Sequence, residues 1–80
     1  MSNAAAECEA LICRYYQKTE YPKESRALAV IIAQEPALQS YRTEDVIAAI
    51  GVLLDKTILT AIGDNAVILT HYGRAHLGIS

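Results

Sequence analysis

The chain has 80 residues, of which 52% are apolar and 20% charged, and its seven basic and nine acidic side chains give a formal net charge of −2. That length holds one domain, and the apolar content excludes a disordered tail, which is poor in apolar residues and high in net charge. So short a chain has little room for a deep catalytic cleft, and its apolar surplus predicts a sticky surface patch or a place in an oligomer.

Ser2-Asn3-Ala4 resembles a cloning remnant, so residues 1–4 are expected to carry no structure and residues 5–80 to form the single domain. From there, Cys8, Leu11, Ile12, Tyr15 and Tyr16 recur at helical steps and predict a helix from about Ala5 to Lys18. Early acids (Glu7, Glu9) and a late Lys18 suit its dipole. Cys8 and Cys13 have neither CxxC nor zinc-pair spacing, and on a helix they point to different sides. Reduced thiols in a cytoplasmic protein are the expectation. The longest apolar run, Ala27 to Ala33, is far short of the roughly 20 residues a membrane span needs.

Pro22 disfavours helix at Tyr21 and is suited to opening a new one. A second helix is expected from Lys23 to Gln34, burying Leu28, Ala29, Ile31 and Ile32 and ending before Pro36. Glu35 to Arg42 reads as a connection anchored by Leu38 and Tyr41. The third helix is expected after Thr43 as N-cap, with Glu44 and Asp45 in its first turn. Its apolar stripe is Val46, Ile47, Ile50, Leu53 and Leu54. Gly51 inside it costs ~1 kcal/mol relative to alanine, which predicts close packing at that point. Two β-type runs, Ile58 to Ile62 and Ala66 to Thr70, flank Gly63-Asp64-Asn65 and predict a hairpin. Both hairpin faces are apolar, so one face or the strand edge is expected to meet a partner, unless a C-terminal segment with Leu77 and Ile79 folds over it. A short helix or turn, His71 to Leu77, comes last.

The predicted class is mainly α with a small β-hairpin, an α+β fold. Its order, three helices and then a hairpin, resembles the winged helix-turn-helix family. Val46 to Leu59 looks like that family's third helix leading into the first wing strand, and Leu69-Thr70-His71-Tyr72-Gly73 resembles the "L-T-x-x-G" that often opens its C-terminal helix. The Glu35 to Arg42 connection is longer than a tight helix-turn-helix turn. The resemblance implies a three-helix core with a two-stranded wing. It also implies DNA binding, with the third helix in the major groove.

The chemistry of the residues pulls the other way. DNA contact needs Arg or Lys for phosphates and Arg, Asn or Gln for bases. The third helix instead turns Glu44, Asp45, Ala48, Val52 and Asp55 outward, and no Lys or Arg falls between Lys56 and Arg74. The expected function is therefore a non-catalytic binding module whose partner is itself, as a homo-oligomer, or another protein, with Ala48, Val52, Val67 and Ile79 as partner-binding candidates. The alternative is a small, dimeric DNA-binding transcriptional regulator or accessory protein whose backbone contacts come from Arg14, Lys18, Lys23, Arg26 and Arg42. The five tyrosines, the only aromatics, are expected in the core or an interface rather than stacked on bases. No nucleophile motif or glycine-rich phosphate loop occurs, and Cys13 with His71 lacks a third orienting group. No enzyme activity, cofactor, metal or small-molecule substrate is expected.

Overall fold

A computed structural model describes residues 3–79. The fold is mainly helical with a small three-stranded antiparallel sheet. In chain order the elements are α1 (Ala4–Lys18), β1 (Arg26–Ala27), α2 (Leu28–Gln34), a 3-10 helix (Pro36–Ser40), α3 (Thr43–Asp55), β2 (Leu59–Ile62), β3 (Ala66–Leu69) and α4 (His71–His76). α1 packs most extensively on α3.

The core follows the predicted periodicities. α1 buries Cys8, Ile12, Tyr15 and Tyr16, and α3 buries Val46, Ala49 and Leu53. α2 and the 3-10 helix supply Ile31 and Leu38, and Leu59, Val67 and Leu69 close the core from the sheet. Tyr15 donates its hydroxyl proton to Gln34 Oε1, tying α1 to the end of α2. Tyr16 is buried without a protein partner for its hydroxyl, and burial pushes that phenol up to about 12.

Several expectations are corrected. Met1 and Ser2 of the leader lie outside the described residues, but Asn3 and Ala4 have structural roles. Asn3 caps α1 by accepting the Ala6 N–H at 3.2 Å, and the helix begins at Ala4. The second helix starts five residues later than expected, at Leu28. Residues 22–24 form a turn closed by Glu24 N–H on the Tyr21 carbonyl, and Arg26–Ala27 becomes a strand because β3 pairs with it. α2 is then too short to bury a broad face: Ile31 is buried, Leu28 and Ile32 are half-buried, and Ala29 is exposed. The connection after it contains the 3-10 helix, with Leu38 buried and Tyr41 half-buried. Arg42, not Thr43, is the extended residue before α3, and its side chain makes no capping bond. In α3, Ile47 is exposed and Ala49 takes the core position. A β-carbon on Gly51 would meet nothing within 4 Å, so close packing does not explain that glycine.

The hairpin runs Leu59–Ile62 and Ala66–Leu69, slightly shorter than expected, and β1 makes it three-stranded in the order β1-β3-β2. Ile58, Leu59, Val67 and Leu69 are buried, while Thr60 and Ile62 are exposed. The C-terminal segment does reach the core: Leu77 and Ile79 are half-buried against it, and Gln17 Nε2 donates to the Leu77 carbonyl at 3.0 Å.

Candidate interaction surface

The buried side of α3 sets what its other side presents. With Val46, Ala49 and Leu53 turned inward, Glu44, Ile47, Ala48 and Asp55 are left exposed. Ile47 is 53% exposed. Glu44 and Asp45 sit in the first turn, where negative charge is favoured by the helix dipole. The neighbouring elements continue the same character. α2 exposes Ala29, Val30 and Ala33, and β2 exposes Thr60, Ala61 and Ile62. Between α2, α3 and the β2–β3 hairpin lies a cleft of roughly 200 Å³ with Leu28, Ile50, Leu54 and Val67 in its walls and Asp64 and Asn65 at the hairpin turn.

Of the partner-binding candidates, Ala48 is exposed and Val52 half-buried, both on α3. Val67 is a core residue, 8% exposed, because strand alternation puts it on the face of β3 that also carries buried Leu69. Ile79 is half-buried against the core. The four therefore do not form one patch. The aliphatic surface residues that periodicity alone passes over are Val30, Ile47 and Ile62. Ile47 reads as core because five apolar positions crowd one stripe of α3. The signal that could separate it is the neighbouring Ala49, whose methyl suffices on the side where α1 packs.

The five cations are dispersed, and two are already engaged. Arg14 stands 3.9 Å from Glu35. Arg26 lies over the rings of Tyr15 and Tyr16, 5.6 and 6.0 Å from their centroids, and donates to Thr19 Oγ1 at 3.1 Å and the Glu24 carbonyl at 3.2 Å. Lys18 and Lys23 are exposed near the C-terminal end of α1. Arg42 follows Tyr41, which lines a groove with Glu7 near the start of that helix. Glu7 and Lys18 are separated by about 16 Å along the helix at its rise per residue. The structure thus holds Arg42 apart from Lys18 and Lys23. Between Leu28 and Thr70 there are five acids and two cations, and one of those cations, Lys56, is bound to Glu9 at 3.1 Å.

The thiols and imidazoles make no reactive pair. Burial pushes the Cys8 thiol up, with Asp45 and Glu7 adding to the rise. Burial also raises Cys13, with Glu9 adding and Lys56 opposing. Both are free and poorly ionised at neutral pH, so neither is an activated nucleophile. His71 lies 3.4 Å from Arg74 and His76 stacks on Tyr72. Among the described residues no group of three or more His, Cys, Asp or Glu stands close enough to share a metal ion, and no helix is long and apolar enough to cross a membrane. No family model, curated protein or solved structure matches the chain.

Proposed function

We propose that this chain is a non-catalytic module of winged-helix type whose α2–α3–wing side contacts protein, including further copies of itself, rather than reading DNA. The observation that carries the reading is the exposure of Ile47 on α3 and of Ile62 on β2, within residues 28–70, where five acids outnumber two cations. Exposed aliphatic side chains among acids favour an apolar, neutral or basic protein surface. They disfavour a phosphate backbone, whose binding depends on releasing counterions to Lys and Arg. The order α1-β1-α2-α3-β2-β3 supports the winged-helix assignment, and two free thiols, one of them buried, suit a reducing cytoplasm.

The test is solution mass by light scattering over a range of protein concentrations, with and without a mixed-sequence DNA duplex at low salt. The expected result is a mass that rises above the 8.7 kDa chain with protein concentration and ignores the duplex. A chain that stays monomeric alone and gains mass only with duplex, reversibly with salt, overturns the reading in favour of a DNA-binding regulator.

A further inference from the structure

Gly51 has no internal reason to be glycine. It costs about 1 kcal/mol inside a helix relative to alanine, yet a β-carbon there would meet nothing within 4 Å. Its place on α3 supplies an external reason. Ile47, Ile50, Gly51 and Leu54 follow the i, i+3, i+4, i+7 spacing of one helix face. Ile47 is exposed, while Ile50 and Leu54 are half-buried and line the cleft that Leu28, Ala61 and Ala66 close from the other side. Stripe and cleft together make one apolar trough, about 10 Å long from Ile47 to Leu54 at the helical rise, with the bare backbone of Gly51 in its floor. The cleft's roughly 200 Å³ falls below the roughly 300–1,000 Å³ of small-molecule sites, so the trough suits the side chains of a macromolecule. Its rim is acidic. Glu44 lies one turn before Ile47, Asp55 one turn after Gly51, and Asp64 at the hairpin turn across the cleft. All three are exposed, and none forms a salt bridge among the described residues. No cation lines the cleft. Lys56 is bound to Glu9 on α1, Arg26 leans onto Tyr15 and Tyr16, and Arg42 follows Tyr41 at the separate groove shared with Glu7.

We propose that this trough takes a basic amphipathic helix of another protein, which crosses α3 at Gly51. This rests on the reading of the α2–α3–wing side as protein-contacting and adds the partner's chemistry. Apolar side chains at helical spacing lie on Ile47, Ile50 and Leu54, and one of them enters the cleft towards Leu28 and Val67. Lys or Arg on the flanks of that helix meets Glu44, Asp55 and Asp64. The glycine sets the crossing point. Packed helices stand about 8–10 Å apart according to the side chains between them, and a missing side chain favours the near end of that range. The charges select against the α3 of a second copy. In either direction it would set Glu44 and Asp55 against acids of its own kind, and like charges facing across an interface weaken it. Copies that meet on this side would use Val30 or Ile62, which lie outside the stripe.

The probe is a labelled peptide of about 14 residues, long enough for an isolated helix to begin to form. It carries leucine at i, i+3, i+4 and i+7 spacing and lysine elsewhere, and a control peptide carries glutamate in place of lysine. Fluorescence anisotropy should show the lysine peptide binding at least about tenfold more tightly than the control, less so as salt is added. Binding should shift the amide resonances of Ile47, Gly51 and Leu54. Gly51→Gln places a side chain in open space, so the fold should keep or gain stability. Affinity for the lysine peptide should nevertheless fall by about tenfold, as at an interface hot spot. Ile47→Lys, at an exposed position, should weaken binding in the same way and serves as the second variant if Gly51→Gln misfolds. A lysine peptide that fails to bind, two peptides that bind equally, or variants that bind like wild type overturn the proposal. If that happens while the mass of the chain alone rises with concentration, the protein-contact reading stands. A chain that gains mass only with a DNA duplex overturns both.

Discussion

Gly73 has the tightest surroundings of the four glycines. A β-carbon there would stand 2.1 Å from the Ile58 carbonyl oxygen, with the Ile58 carbonyl carbon and Cα at 2.9 and 3.0 Å. All three are backbone atoms, which cannot swing aside as a side chain can. Thr70 fixes the same approach from the start of α4. Its Oγ1 accepts the Gly73 N–H at 2.8 Å and donates to the Thr57 carbonyl. The Thr70-x-x-Gly73 spacing therefore has a local cause: the hydroxyl caps the helix, and the missing side chain lets that helix press on the chain entering β2. Gly73→Ala should cost about 2–3 kcal/mol as an overpacking change and lower the melting temperature by about 10–20 °C. Gly51→Ala is the control. With open space around it, alanine there should be neutral or add up to about 1 kcal/mol from helix propensity. Thermal melts of the two variants moving in the same direction would refute the distinction.

At the scale of the elements, two helices end in the same way with different residues. α4 closes with Gly78 at φ +73° and an Ile79 N–H to Arg74 carbonyl bond of 2.8 Å. α3 closes with Thr57 at φ 62°, an Ile58 N–H to Leu53 carbonyl bond of 3.0 Å and a Thr57 N–H to Leu54 carbonyl bond of 3.1 Å. Both are Schellman ends, whose left-handed residue is ordinarily glycine. A β-branched threonine in that conformation costs roughly 1–2 kcal/mol, and glycine there gives back about 0.5–1 kcal/mol in chain entropy. Thr57→Gly should therefore stabilise the chain by about 0.5–1 kcal/mol and raise its melting temperature by about 4 °C, while a fall would show that the threonine side chain contributes more than its strain. Such ends mark how far the elements are legible from sequence. α1, α3 and the hairpin are visible because each repeats its own period over several residues. β1 is not, because Arg26–Ala27 runs straight into an apolar stretch of helical character and becomes a strand only through Ala66 and Val67. Val67 leaves the candidate surface for another reason, since it shares the core-facing side of β3 with Leu69. The exposure of Ile47 was equally hidden, since periodicity marks a stripe without saying which of its members the neighbouring helix covers.

Across the whole molecule, the cations divide by what they hold together. Lys56 joins the end of α3 to Glu9 on α1, and Arg14 reaches towards Glu35 after α2. Arg26 does the most, since it leans from β1 onto two α1 tyrosines and ties Thr19 at the end of that helix to the turn at Glu24. Its planar guanidinium suits both tasks, stacking on rings and donating in two directions, and a lysine ammonium would do neither as well. Arg42, at the other end of α1, is exposed and forms no salt bridge among the described residues. A scaffold role and a nucleic-acid role then predict opposite patterns for these two arginines. If Arg26 holds the fold, Arg26→Ala should lower stability by about 1–2 kcal/mol, because the stacking and the charged hydrogen bonds are lost together. Arg26→Lys should recover little of that loss. Arg42→Ala should stay within about 0.5 kcal/mol of wild type, as surface substitutions do. Urea unfolding reads this as a lower midpoint at unchanged slope for both Arg26 variants and a wild-type midpoint for Arg42→Ala. A wild-type midpoint for Arg26→Ala, with duplex affinity lost instead, would return Arg26 to the DNA-facing role that its position among Thr19, Tyr15 and Tyr16 argues against.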